Sequence, residues 1–258
     1  MDKFYIPMIG GLGDVIYDYS TYNFQKIKET YPESLLKGIV VSHNPRSIEV
    51  PRLNPFIDEI EYHSPRREMR DRGWSHKEVA EQYCIEYKPV SRDKSLLNKL
   101  YSLPSEVSLA QKIIGEKKTA IIHLFASEEE RVLVSNYRSL VDQLKDKYKI
   151  ILIGNSYTKY FGDRERYKIK EEIETDSNII NLIGEVSIRT AINLVIASDL
   201  FVGSWSCFST TAWLYNKQST VIVPKYLLSG CQKIHRNKYL NCNKNDRIIC
   251  NLKEGIII

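Results

Sequence analysis

The chain has 258 residues, 43% of them hydrophobic and 27% charged, with 37 lysine and arginine residues against 32 aspartate and glutamate. That length suits one large domain or two small ones, and the apolar share is enough to bury a core, which excludes a disordered chain. The net charge of +5 is a weak pull toward anionic partners and, spread over the whole length, is no nucleic-acid signature by itself.

Short β-branched runs alternate with longer amphipathic segments, the pattern of parallel sheets covered by helices. Lys3 to Ile9 reads as a first strand running into Gly10-Gly11-Leu12-Gly13, after which Asp14 opens a helical pattern to about Tyr31, stopped by Pro32. Lys37 to Ser42 and Ile57 to His63 read as two more strands, separated by a stretch broken at Pro45, Pro51 and Pro55. Pro65 to Pro89 reads as a charged helical segment. Its Arg66, Arg67, Arg70 and Arg72 are interrupted by Glu68 and Asp71, which suits a solvated face. Val90 to Lys118 connects two halves, and Ser105-Glu106-Val107-Ser108 suits a helix start.

A cleaner series follows. Thr119 to Ala126 is a strand, Val134 to Tyr148 a helix, Lys149 to Gly154 a strand, Asp163 to Glu174 a charged helix and Ile179 to Ile183 a short strand. Ser187 caps a helix reaching Ala197, and Leu200 to Gly203 is a strand leading into Ser204-Trp205-Ser206 and a helix near Phe208 to Tyr215. Thr220 to Val223 is a buried strand closed by Pro224, and the basic tail from Lys225 must pack back on the body. The two strand–turn–helix series predict an α/β chain of two doubly wound, Rossmann-like domains with parallel sheets, about 1–105 and 106–258. Ligands would sit beyond the carboxyl ends of their strands.

No apolar run approaches the ~18–20 residues of a membrane helix, and the N-terminal residues lack the basic, apolar and small-residue regions of a signal peptide. Five cysteines with no C-x-x-C pair predict reduced thiols, neither a disulfide framework nor a structural zinc site. The expected location is the cytoplasm. His43, His63, His76 and His235 are scattered without metal spacing, and no Gly-x-Ser-x-Gly elbow occurs.

The turn Gly10-Gly11-Leu12-Gly13-Asp14 lies where a strand hands over to a helix. Glycines there permit positive φ and close backbone approach, and a helix start offers N–H groups to an anion. It is neither a dinucleotide fingerprint, since the third glycine would fall at Ile16, nor a P-loop, since no Gly-Lys-Ser/Thr follows. Read on its own, the turn is equally a tight bend with Asp14 capping the helix.

Gly10-x-Leu-Gly-Asp-Val-Ile after the first strand resembles the opening of the ADP-heptose:lipopolysaccharide heptosyltransferase family, glycosyltransferase family 9. The resemblance implies a GT-B fold of two facing Rossmann-like domains. It also implies a general-base role for Asp14, with Gly11, Leu12 and Gly13 beside the acceptor. Thr119 to Leu140 is similar to the family's strand–loop–helix, with His123 at the strand end and Tyr137-Arg138-Ser139-Leu140 at the helix start. At the family's phosphate-contacting lysine this chain has Glu130, with Arg131 beside it, so Arg131 is the candidate cation for a leaving diphosphate. Asn181 to Arg189 and Ala197 to Gly203 also resemble the family's passages before its donor loop. In the loop itself Trp205, Cys207 and Thr210 replace the family's aspartate, glycine and histidine, and Ser206 keeps its type.

The resemblance thus implies a glycosyltransferase that moves a sugar from a nucleotide-diphosphate sugar to a hydroxyl of a glycan, lipid-linked or other acceptor. The N-terminal domain would take the acceptor and the C-terminal domain the donor. Donor contacts would come from Arg131, Asn155, Ser156, Glu185, Val186, Trp205, Ser206, Cys207, Ser209 and Thr210. No cofactor or metal is expected, and no Asp-x-Asp pair of the metal-dependent kind occurs. Ser206 to Leu214 has a weaker similarity to α-1,2-fucosyltransferases, whose His-x-Arg-x-x-Asp motif is absent where this chain reads His123-Leu124-Phe125-Ala126. Two alternatives stay open. One is a non-catalytic nucleotide-sugar or carbohydrate binder, suggested by Trp205, Thr210 and Glu130. The other is transfer onto a nucleic-acid base, suggested only by the basic tail residues Lys225, Lys233, Arg236, Lys238, Lys244 and Arg247, and not favoured.

Overall fold

The computed structural model describes residues 2–42, 44–64, 99–123, 137–154, 178–223, 225–238 and 247–250, together with 78, 88–90, 93, 157–158 and 167–168. The chain divides into two compact units, Met1–Leu103 and Pro104–Ile258.

In the N-terminal unit, β1 (Lys3–Ile9) pairs in parallel with β2 (Leu35–Val41), and β2 with β3 (Glu59–His63). On its other side β1 pairs with the two-residue β4 (Lys88–Pro89), giving the order β3-β2-β1-β4. The core strands are continuous apolar runs because a parallel sheet is covered on both faces. Ile6, Met8, Leu36, Ile39 and Val40 are fully buried, and Val15 and Ile16 of α1 (Leu12–Ser20) are buried with them.

The single helix expected from Asp14 to Tyr31 is two. Helix α1 ends at Thr21, whose hydroxyl donates to the Asp18 carbonyl at 2.7 Å while the Ser20 hydroxyl donates to that of Tyr17. Helix α2 (Phe24–Thr30) then starts afresh on Asn23, whose side chain accepts the Lys26 N–H at 3.0 Å. Hydroxyls bonding back to the last turn and a new asparagine cap outweigh the continuous apolar pattern. A 3₁₀ turn (Pro45–Glu49) fills part of the proline-broken stretch.

The C-terminal unit opens with α3 (Pro104–Ile114), then β5 (Thr119–His123), α4 (Tyr137–Leu144) and β6 (Lys149–Ile153). A two-residue antiparallel pair, β7 (Tyr157–Thr158) with β8 (Tyr167–Lys168), comes next; the Tyr167–Lys168 strand replaces helix in part of the segment expected to be helical. Then follow β9 (Ile179–Asn181), α5 (Ile188–Ala197), β10 (Leu200–Ser204), α6 (Cys207–Leu214) and β11 (Gln218–Val223). The tail supplies two elements the sequence pattern did not define, α7 (Lys225–Lys238) and β12 (Arg247–Cys250).

All six long strands of this unit pair in parallel in the order β12-β11-β10-β5-β6-β9. Counted from β5, that is the 3-2-1-4-5-6 order of a doubly wound Rossmann sheet, with its order reversing between β5 and β10. The core lies on these central strands: Ile121, Ile122, Ile150 to Ile153, Phe201 and Val202 are fully buried. Trp213 of α6 is buried too, its indole N–H donating to the Ser219 hydroxyl at 3.2 Å. Among the described residues, no helix is long and apolar enough to cross a membrane.

Candidate functional site

In the N-terminal unit the glycine turn follows the carboxyl end of β1. Gly10 has φ +118°, the left-handed side that favours glycine, and a Cβ there would lie 2.8 Å from both Cβ and Oδ2 of Asp14. Its N–H donates to the Val41 carbonyl at 3.0 Å, tying the turn to the end of β2. Gly11, in extended conformation, is the N-cap of α1, and Asp14 is the third helical residue. Asp14 therefore caps by reaching back: its Oδ2 accepts the Gly11 N–H at 3.2 Å, the half of a capping box that a glycine N-cap can make. The Asp14 residue is exposed, Leu12 is buried, and Gly11 and Gly13 are half-buried. The carboxylate is thus fixed at one oxygen and presented at the surface beside the helix start.

Asp18, one helical turn later, is only 5% exposed, and its Oδ2 accepts the Ile9 N–H at 2.9 Å. It ties helix α1 to the last residue of β1. The sequence reading passed over Asp18. Its signal was an acidic residue in a helical segment whose neighbours Val15, Ile16, Tyr17 and Tyr19 are apolar or aromatic.

In the C-terminal unit the expected donor residues divide three ways. Arg131, Asn155 and Ser156, with Glu130, lie outside the described residues. Glu185 and Val186 follow β9, where Gly184 takes φ +74° and donates its N–H to the Gly154 carbonyl at 2.8 Å. Glu185 is exposed and Val186 half-buried. Trp205, Ser206, Cys207, Ser209 and Thr210 gather at the start of α6, after the carboxyl end of β10 and next to the sheet's switch point. Trp205, Ser206 and Cys207 are half-buried, while Ser209 and Thr210 are buried.

Three hydroxyls there serve the helix itself. Ser206 caps α6, its Oγ accepting the Phe208 N–H at 3.3 Å, and Ser209 Oγ accepts the Ser206 N–H at 3.0 Å. The Ser209 hydroxyl donates to the Ser206 carbonyl at 2.7 Å, and that of Thr211 to the Cys207 carbonyl at 2.9 Å. Burial pushes the Cys207 thiol up to about 12, against a smaller opposing effect of the backbone N–H groups nearby. It is therefore a protonated packing group at neutral pH. The helix start remains electropositive, and the Ser206, Ser209 and Thr211 hydroxyls bond within the helix they open.

One residue outside the expected set joins this cluster. His123 ends β5 directly beside Gly203 of β10 in the sheet register, and it is 4% exposed. Its Nδ1 lies 3.2 Å from Ser206 Oγ, and its ring meets Phe208 edge-on at a centroid distance of 4.8 Å. Burial pushes its imidazole down to about 3, so it is neutral at physiological pH. A Cβ at Gly203 would lie 2.6 Å from the His123 carbonyl oxygen, so glycine is what lets β10 approach it. A polar residue closing the otherwise apolar run TAIIH was the sequence signal. Ser206 Oγ also accepts the Phe208 N–H at 3.3 Å, so the hydroxyl that meets His123 is at the same time the cap of α6.

The basic tail residues Lys225, Lys233, Arg236 and Lys238 lie on α7 and Arg247 on β12; Lys244 lies outside the described residues. Among the described residues, no group of three or more His, Cys, Asp and Glu side chains could hold a metal ion.

No protein-family model matches the chain, and no curated protein matches it by sequence. Solved structures do. ADP-heptose lps heptosyltransferase II of E. coli superposes with a TM-score of 0.58 at 15% identity, over 99% of this chain and 92% of that one. A glycosyl transferase family 9 protein of Veillonella parvula gives 0.60 at 11% identity, over 98% and 88%. The E. coli heptosyltransferase WaaC with ADP gives 0.57 at 10% identity, over 98% and 94%. The chain has the GT-B fold of these heptosyltransferases.

Proposed function

We propose that this chain is a glycosyltransferase that moves a sugar from a nucleotide-diphosphate sugar to a hydroxyl of a glycan, lipid-linked or other acceptor. The observation that carries the reading is the doubly wound C-terminal sheet, whose switch point between β5 and β10 adjoins a capped helix start. Ligands of such sheets bind at the switch point, and a helix N-terminus favours the charge of a diphosphate. The likeness of fold to heptosyltransferases, one of them with ADP, supports the same assignment.

In this reading the C-terminal unit takes the donor and the N-terminal unit the acceptor. Asp14 accepts the proton of the acceptor hydroxyl as its oxygen bonds to the anomeric carbon. The anomeric C–O bond to the diphosphate breaks, and the diphosphate leaves with the electron pair. A carboxylate fixed by the Gly11 N–H and exposed at a helix start suits a base that must meet a hydroxyl at hydrogen-bond distance. Arg131 is the side-chain cation assigned to the leaving group. Neither a resident cofactor nor a metal is part of the proposal, and a cytoplasmic location belongs to the same reading, supported by five cysteines with no C-x-x-C pair.

Asp14→Asn tests the base directly, because the amide oxygen can still accept the Gly11 N–H. Release of nucleoside diphosphate in the presence of acceptor should fall by about 100-fold or more, with donor affinity retained. Unchanged turnover would remove Asp14 from the mechanism. A second reading, a sugar-nucleotide binder without chemistry, is favoured by the Ser209 and Thr211 hydroxyls of α6, which bond within the helix. Donor binding with no nucleoside diphosphate released under any acceptor would select it.

A further inference from the structure

We propose that His123 is a positioning residue: it receives the Ser206 hydroxyl proton on Nδ1 and so fixes the start of α6 against the end of β5. The functional meaning rests on the donor reading above; the positioning itself does not.

The direction of the bond follows from giving the hydroxyl proton an acceptor. A serine hydroxyl has one proton and two lone pairs. Ser206 Oγ accepts the Phe208 N–H at 3.3 Å on one lone pair. The acceptor next to its proton is His123 Nδ1, at 3.2 Å. Donation of that proton requires the tautomer with a bare Nδ1 and a protonated Nε2. An Nδ1–H ring would instead donate to the second lone pair, and the two cases differ in which ring nitrogen carries the proton.

The surroundings hold the ring in that place. Gly203 permits β10 to lie against the His123 backbone, and Phe208, in the first turn of α6, packs edge-on to the imidazole. The ring therefore touches both the cap residue and the first turn of the helix it orients. Two strands meeting at the switch point are joined by one side chain to the helix start beyond them. Residue 123 sets where the α6 N-terminus stands relative to β5, and with it the geometry that any anion at this edge encounters.

The tautomer is read from a long-range proton–nitrogen spectrum of the unmodified protein with labelled histidine. The expected pattern for His123 is an unprotonated Nδ1 and a protonated Nε2; a protonated Nδ1 would overturn the proposal. Three variants add the positioning readout. In His123→Leu, amide exchange at Phe208 and Ser209 should rise about fivefold or more, with Ile121 and Val202 unchanged. His123→Asn, which offers an oxygen near the place of Nδ1, should restore most of the protection, and Ser206→Ala should release the tautomer preference. Unchanged exchange in His123→Leu, or no rescue by asparagine, would count against positioning.

Affinities for ADP, UDP, GDP and CDP form a separate arm. If none binds the unmodified protein while tautomer and exchange hold, the donor reading fails and the positioning role stands. If one binds unmodified protein and His123→Leu equally, the functional half of the proposal is overturned.

Discussion

Gly10 and Gly203 each clear room for a polar side chain beside a strand end. At Gly10 the obstacle is twofold, a left-handed φ of +118° and the Asp14 side chain at 2.8 Å. Gly10→Ala should lower stability by about 1–3 kcal/mol and displace Asp14, so the denaturation midpoint and, in the proposed transferase, the transfer rate should fall together. At Gly203 the backbone oxygen of His123 stands 2.6 Å from the added Cβ. Gly203→Ala should cost about 1–3 kcal/mol by overpacking, seen as a lower denaturation midpoint with an unchanged slope. His123 adds a pH dependence. Its folded-state value of about 3 lies below the ordinary 6.5, so the unfolded chain binds the proton more readily. The associated stability is present above pH 6.5 and is lost as pH falls from there toward 3, at up to about 1.4 kcal/mol per pH unit. The stability difference between the unmodified protein and His123→Asn should narrow across that window. A difference independent of pH would show that His123 charges freely in the fold.

At this scale the aspartate after a glycine turn and the serine at a helix start were legible as capping residues. His123 and Asp18 were less so, because their roles depend on partners far along the chain or across a turn. Ser206 is 83 residues from His123, and only the pairing of β5 with β10 brings them together. The inward use of the Ser209 and Thr211 hydroxyls was likewise hidden, since a hydroxyl reads the same in sequence whether it bonds within a helix or meets a ligand.

Among the elements, the two helix starts differ in how they are closed. In α1 the Asp14 carboxylate accepts the N–H of a glycine N-cap, whereas in α6 Ser209 Oγ accepts the N–H of Ser206 and Ser206 Oγ accepts that of Phe208. The exposed carboxylate of the first suits proton transfer, and the buried, self-closed start of the second suits a rigid platform. Helix α3 is held to α5 by a two-pronged ion pair, Arg189 Nε to Glu106 Oε1 at 2.8 Å and Nη2 to Oε2 at 2.9 Å. Both side chains are largely buried, so truncating one leaves the other uncompensated. Arg189→Met should therefore cost about 2 kcal/mol, measured by denaturant unfolding, and Glu106→Gln should cost less because it keeps an acceptor. Strands were readable from their β-branched runs and Ser187 from its capping position. The break at Thr21 was not, because it turns on hydroxyls bonding back to the helix they end. The tail was not either: β12 has its place only because β11 offers it an edge.

On the scale of the molecule, the chain divides into two compact units, Met1–Leu103 and Pro104–Ile258. Strand order lies beyond a reading of local pattern, since it is fixed by which edges meet, and it is the order that marks β5 and β10 as the place for a ligand. The net charge of +5 fits a diphosphate-bearing donor before any polyanionic acceptor. If this switch point takes the donor nucleotide, as proposed, titration with ADP, UDP, GDP and CDP in turn should show it in the amide shifts. At least one of them should move the resonances of residues 203–209 in a saturable way. Saturating additions of all four that leave those amides in place would rule out donor binding there.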